Sequence, residues 1–246
     1  MSGHSKWASI KHKKAAADAQ RGKTFTKVIK ELTQAAREGG GNPDANPRLR
    51  VALEKAKEAN MPKDNITQAI KRGTGELPGV TYESATYEGY GSGGVAILVQ
   101  VLTDNKNRAA AEIRNLFSKK NGNMGAPGSV AWMFHQKGLI LVDKKMSEDE
   151  LMTLALDSGA EDFKSDDPES YEITTAPGDF EKVKQALVAK GIHPKHAEVA
   201  MVPANTVKVE GGAARQVLDL VQALEDHDDV QNVYANFDVP EDILNT

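Results

Sequence analysis

Eight basic side chains crowd the first thirty residues: Lys6, Lys11, Lys13, Lys14, Arg21, Lys23, Lys27 and Lys30, against one acid, Asp18. The 246-residue chain is formally −4 as a whole, so a local charge of +7 is a departure that needs a reason. Ammonium and guanidinium groups at this density suit charge-assisted hydrogen bonding to phosphate oxygens. Trp7 lies among them and offers a stacking plane for a base or a guanidinium. His4 and His12 sit beside lysines and are further donors to phosphate. The plainer alternative is a solvated basic helix that keeps the protein soluble, which is what most charge runs are. The bias toward lysine fits contacts to the sugar–phosphate backbone, because reading base edges in duplex DNA favours Arg, Asn or Gln.

Other groupings with chemical potential fail on context. Gly89, Gly91 and Gly94 satisfy G-x-G-x-x-G, but they precede an apolar strand instead of joining a strand to a helix. A dinucleotide pyrophosphate would therefore find no helix N-terminus there. Tyr90 stands two residues before Ser92 where a nucleophile elbow needs glycine. His193 and His196 are spaced i, i+3, but Pro194 and Lys195 between them suit a loop better than a metal site. Asp166-Asp167 and Glu225-Asp226-His227-Asp228-Asp229 fall at turns or helix ends and read as solvated faces. Without cysteine there are no disulfides or thiolate ligands. No nucleophile–base–orienter set can be assembled, so the expectation is a protein that is not an enzyme, with no cofactor, no metal and no small-molecule substrate.

The elements that must carry these residues follow from periodicity. Phe25, Val28, Ile29, Leu32, Ala35 and Ala36 repeat at helical spacing until Gly39–Gly41. Asn46-Pro47 caps and opens a second helix, with Leu49, Ala52, Leu53 and Ala56 inward. Pro62 opens a third, which packs through Ile66, Ala69 and Ile70 and ends at Gly73. Residues 95–102 read as a buried central strand and residues 104–120 as a helix. The next elements are a strand at 139–143, a helix opened by a Ser147–Glu150 capping box, strands at 171–175 and 197–202, and a helix at 179–190 between those two. A strand at 206–210, a helix at 213–225 and a strand at 230–237 complete the chain. The expected class is α+β: an N-terminal helical bundle, then two ferredoxin-like α/β domains, one inserted in the other. The boundaries are 1–80 for the bundle, 82–127 plus 204–240 for a discontinuous middle domain, and 128–203 for the insert.

Charge follows the same division. Residues 1–80 carry 16 basic and 8 acidic side chains, whereas residues 143–246 carry 9 and 23. Different partners for the two ends are implied. No apolar run approaches the roughly 20 residues of a membrane span, and no apolar stretch follows the basic start as a secretory signal would require. A mitochondrial transit peptide is a weaker reading, since lysines outnumber arginines. The strands carry Val, Ile, Leu and Thr where an RNA-recognition motif needs aromatics, so the sheets make poor RNA platforms.

Four stretches, "GHSKWASIKHKKAAADAQRGKTFTK", "GGGNPDANPRLRVALEKAKEANMPKDNITQAIKRGTG", "YEGYGSGGVAILVQVLTDNKNR" and "GSVAWMFHQKG", resemble the YebC family over essentially the whole chain. The resemblance implies a three-domain, cytoplasmic, non-enzymatic protein. Its partner would be nucleic acid, DNA or ribosomal RNA, with no membrane partner. Members act in two described ways, as DNA-binding transcriptional regulators and as ribosome-associated factors that help difficult peptide bonds form, notably at proline runs. The basic motif maps onto Gly3, His4, Ser5, Lys6, Trp7, Ile10, Lys11 and Lys14. The second maps onto Asn60, Met61, Pro62, Lys63, Asn65 and Ile66, which adds Lys63 to the candidate nucleic-acid contacts. Those candidates are then His4, Lys6, Trp7, Lys11, His12, Lys13, Lys14, Arg21, Lys23, Lys27 and Lys63. Ser92 departs from the family, which more often has proline after Tyr-Gly. Nothing in the sequence fixes the oligomeric state.

Overall fold

The computed structural model describes residues 18–240 and residue 243, with side chains from residue 22. The fold is α+β, with seven α-helices and largely antiparallel sheets among the described residues. Two compact units form: residues 18–129 with 211–233, and residues 130–210 with 234–240.

The first unit begins with three helices, α1 (Asp18–Gly39), α2 (Pro47–Glu58) and α3 (Lys63–Thr74). Their apolar stripes converge on Val28, Leu32, Ala35, Leu49, Ala52, Ala56, Met61 and Ala69. Asn46 fixes the α1–α2 corner. Its Oδ1 accepts from the Leu49 N–H at 3.0 Å, and its Nδ2 donates to the Ala35 and Gly40 carbonyls at 2.8 Å. One side chain thus caps the start of α2 and satisfies orphan carbonyls at the end of α1. Gly73 sets how closely α3 approaches α1, because a Cβ there would lie 2.3 Å from the Thr33 carbonyl oxygen and 2.7 Å from the Ala36 Cβ.

The same unit holds a sheet ordered β3-β1-β2-β9. Its strands are β1 (Glu83–Tyr90), β2 (Ala96–Thr103), β3 (Asn123–Met124) and β9 (Val230–Ala235), with helices α4 (Lys106–Lys119) and α7 (Gly211–Glu225). β1 and β2 form an antiparallel hairpin from Glu83↔Thr103 to Tyr90↔Ala96. Gly93 and Gly94 take positive φ at its turn, which answers what "GYGSGG" is for. The apolar β2 lies between two strands, as its composition requires.

In the second unit, β4 (Phe134–Asp143), β5 (Ala160–Lys164), β6 (Ser170–Thr175) and β7 (His196–Pro203) form a sheet ordered β5-β6-β4-β7. Its three pairings are antiparallel. Helices α5 (Glu148–Ser158) and α6 (Phe180–Ala189) pack with Ile140, Val142, Tyr171 and Ile173 through Leu151, Ala155, Val183 and Leu187.

Three element-level expectations are corrected. The strand expected at 206–210 shortens to β8 (Val207–Lys208) and pairs in parallel with β10 (Phe237–Asp238), outside both four-stranded sheets. The place it was expected to fill goes to β1, whose Glu83, Glu88 and Gly89 disguise it as a loop. The strand expected over 230–237 breaks into β9 and β10. The Ser147 hydroxyl makes no capping bond, although α5 starts where expected. Glu148, Asp149 and Glu150 instead set negative charge against the helix N-terminus.

Two glycine substitutions in the bundle should move stability in opposite directions. Gly73→Ala forces α1 and α3 apart and should cost about 1–3 kcal/mol. Gly22→Ala, in α1 with nothing within 4 Å of the new methyl, should stabilise by about 0.5–1 kcal/mol. Urea unfolding of both variants measures the two signs.

Candidate nucleic-acid interface

Lys23, Lys27 and Lys30 are spaced i, i+4, i+7 and lie along one face of α1. That face meets the end of α7 and the acidic turn behind it. The Lys23 Nζ lies 3.7 Å from Asp226 Oδ1, with both side chains nearly half exposed. Lys27 donates to the Glu225 carbonyl at 2.5 Å. Lys30 donates to the Asp228 carbonyl at 3.0 Å and forms a buried ion pair with Asp229. The last carbonyls of a helix carry partial negative charge and lack intrahelical donors, so Lys27 caps α7 while Lys23 and Lys30 offset the charge of the turn.

The Asp229 carboxylate is the centre of this arrangement. Oδ1 receives Lys30, while Oδ2 accepts from the Thr103 hydroxyl and from Arg108, both at 2.8 Å. Burial alone would raise this carboxyl, but hydrogen bonds from Lys30, Arg108 and Thr103 outweigh it and hold the pKa at about 2. The hydrogen bond to Asp229, then that to Asp104, holds the Arg108 guanidinium charged beyond its ordinary range. His227 completes the turn, with Nδ1 accepting the Asp229 N–H at 3.1 Å and Nε2 lying 2.8 Å from Glu112. Glu112, His227 and Asp229 bring ligand-type atoms within 4.8 Å of one another. Lys30 and Arg108 already supply positive charge to Asp229, so a divalent ion would have to displace them.

The sequence candidates divide as follows. His4, Lys6, Trp7, Lys11, His12, Lys13 and Lys14 lie outside the described residues, as does the side chain of Arg21. Lys23 and Lys27 are turned toward the acidic turn. Lys63 is exposed in the first turn of α3, and its side chain makes no ion pair or hydrogen bond among the described residues; the same holds for Lys55 and Lys57 in the last turn of α2. Lys55 and Lys57 lie at the end of α2 away from the Asn46 corner, and Lys63 at the end of α3 away from Gly73. Glu54, Glu58 and Asp64 flank them in sequence and match them in number. Arg48 is committed to Glu31 and Glu38, and Arg37 to Thr81 and Val80.

Sequence reasoning missed the Asp229 centre. Its one available signal was the coincidence of a lysine stripe and an acidic run, nearly 200 residues apart, and spacing alone does not pair them. Among the described residues no helix is long and apolar enough to cross a membrane.

An α+β chain with a helical N-terminal part and two four-stranded sheets now has its counterpart among known proteins. The model of the "TACO1/YebC protein N-terminal domain" matches residues 5–76, and that of the "TACO1/YebC second and third domain" matches residues 82–237. The chain belongs to the TACO1/YebC family. It is 58% identical over 250 residues to a "Probable transcriptional regulatory protein" of Natranaerobius thermophilus, with 100% of both chains covered. It is also 58% identical over 246 residues to a protein of the same description from Dictyoglomus turgidum, covering 99% of this chain and 98% of the relative. The crystal structure of a conserved hypothetical protein from Aquifex aeolicus superposes with a TM-score of 0.80 at 47% identity, over 93% of this chain and 94% of the other.

The Asp229 centre makes acid stability a test of the geometry. A carboxyl held below its unfolded pKa contributes stability that is complete above that unfolded value and is lost as pH falls through the folded one. With the folded value at about 2, about 2 kcal/mol should disappear between about pH 5 and pH 2. Asp229→Asn should remove this part of the pH dependence. It should also cost about 3–5 kcal/mol near neutrality, because Lys30 loses its buried counter-charge. Urea unfolding of both proteins across that range checks the two expectations.

Proposed function

We propose that this protein is a non-enzymatic regulator of gene expression that binds DNA in the cytoplasm through the phosphate backbone, using the basic run of residues 1–30. One observation carries the reading: a +7 segment opens a chain that is otherwise strongly acidic, in a family whose members include probable transcriptional regulatory proteins. Lys6, Lys11, Lys13, Lys14, Arg21 and Lys23 contact phosphates, Trp7 stacks, and Lys27 and Lys63 extend the track. The two four-stranded sheets are ferredoxin-like domains, residues 128–203 being inserted in a domain of 82–127 and 204–240. They serve as the frame that holds the basic end.

A second reading is favoured by the dominance of lysine in the run, which suits backbone contacts without reading base edges. In it the same residues bind ribosomal RNA, and the protein relieves translation at proline-rich sequences. Binding to promoter DNA, random DNA and structured RNA as a function of salt separates the two. If six phosphate contacts form on duplex DNA, log K falls against log salt with a slope of about −5, and Lys11→Ala with Lys14→Ala flattens it by about 2. A preference for promoter over random DNA supports the DNA reading, and a preference for structured RNA over both supports the second. An unchanged slope in the double variant removes Lys11 and Lys14 from the contact.

A further inference from the structure

Three lysines that continue the basic run already have acceptors in front of them. The turn 225–229 presents the Asp226 and Asp229 carboxylates and the Glu225 and Asp228 carbonyls to the Lys23–Lys27–Lys30 stripe. Its two ends are built differently. At Lys30 the partner Asp229 is 3% exposed and is shared with Arg108 and Thr103, so that end is a fixed anchor. At Lys23 the partner Asp226 stands 3.7 Å away, beyond hydrogen-bond distance, and both groups are open to water. An exposed pair of this kind is weak and exchanges without any unfolding. The Asp228 carboxylate, also exposed, makes no ion pair or hydrogen bond among the described residues. Folding therefore gives no account of why residues 226 and 228 are acidic, whereas Asp229 is explained by its three partners.

We infer that the turn 225–229 is an internal competitor for phosphate: the Asp226 carboxylate occupies Lys23 and the Glu225 carbonyl occupies Lys27, and so they limit how far a phosphodiester chain can follow the basic run along α1. The inference rests on the nucleic-acid reading above. A backbone that follows the basic run onto α1 exchanges Asp226 for a phosphate at Lys23, a rotamer change of one long side chain, and reaches Lys27 only if that ammonium gives up the Glu225 carbonyl. The effect is to hold non-specific affinity down while the buried anchor keeps α1 in place. Lys23 and Lys27 then act as contacts only when a ligand outcompetes the turn.

The test uses the full chain and a short random-sequence DNA duplex at low salt. Asp226→Asn removes the competing charge. Asp219→Asn makes the same change in net charge at an exposed position of α7, the helix that leads into the turn. Asp226→Asn should bind the duplex about two- to fivefold more tightly than wild type, Asp219→Asn should change affinity less, and Lys23→Ala in the Asp226→Asn background should abolish the gain. Equal effects of Asp226→Asn and Asp219→Asn, with wild type binding normally, would overturn the competitor and leave the nucleic-acid reading standing. If neither wild type nor Asp226→Asn binds the duplex, the nucleic-acid reading itself fails and the turn has nothing to compete with.

Discussion

The ion cluster at Asp229 is the constraint on which the first unit depends. It draws one group from each of four places: Lys30 in α1, Thr103 at the end of β2, Arg108 in the first turn of α4, and the turn before β9. A buried carboxylate is unfavourable unless its charge and lone pairs are matched, so only one placement of α1 satisfies all four. Apolar side chains could fill the same space at equal or greater stability, but they would not specify direction or register in this way. Polar contacts also join the three-helix part to the rest of the unit, among them the clasp of Lys23 and Lys27 and the bonds from Arg37 to Thr81 and Val80. Buried and exposed charges thus help set the position of α1 against this turn.

That arrangement explains why the acidic run is more than a solvated face. Glu225 closes α7 and three further carboxylates follow it, where partial negative charge is already concentrated. Left alone, the site would repel itself and fray the helix. The lysine stripe of α1 relieves both problems. In the proposed function, phosphate binding and folding draw on the same stripe. Lys30 is committed to structure, and Lys23 is available for exchange.

The sequence revealed local structure well. The three-helix part was legible because stripes such as Leu49, Ala52, Leu53 and Ala56 state both period and face, and because Asn46-Pro47 marks a start; the end expected at Gly73 falls instead after Thr74, with Gly75 as the left-handed cap and Gly73 packed inside the helix. The central strand β2 was legible from its unbroken apolar run. β1 was not, because charged residues and Gly89 interrupt its alternation, and the glycine is there to admit the Phe117 ring, whose nearest atom would lie 2.6 Å from a Cβ. The Ser147 motif had the right spacing for a capping box, yet its hydroxyl makes no capping bond. In the candidate site, residue types pointed to phosphate chemistry, but the partners of Lys23, Lys27 and Lys30 lie 198 or 199 positions away for the latter two. No local pattern encodes a contact of that range.

The central claim is that nucleic acid meets the basic opening of this chain and not its acidic sheets. Photo-crosslinking the intact protein to DNA, followed by mass-spectrometric mapping of the modified peptides, tests it most directly. Crosslinks concentrated at Trp7 and the peptides spanning residues 4–27, with Lys63 at their margin, are the predicted result. Crosslinks confined to the sheet of residues 134–203 would contradict the account, because they would place the nucleic acid on a surface whose charge repels it.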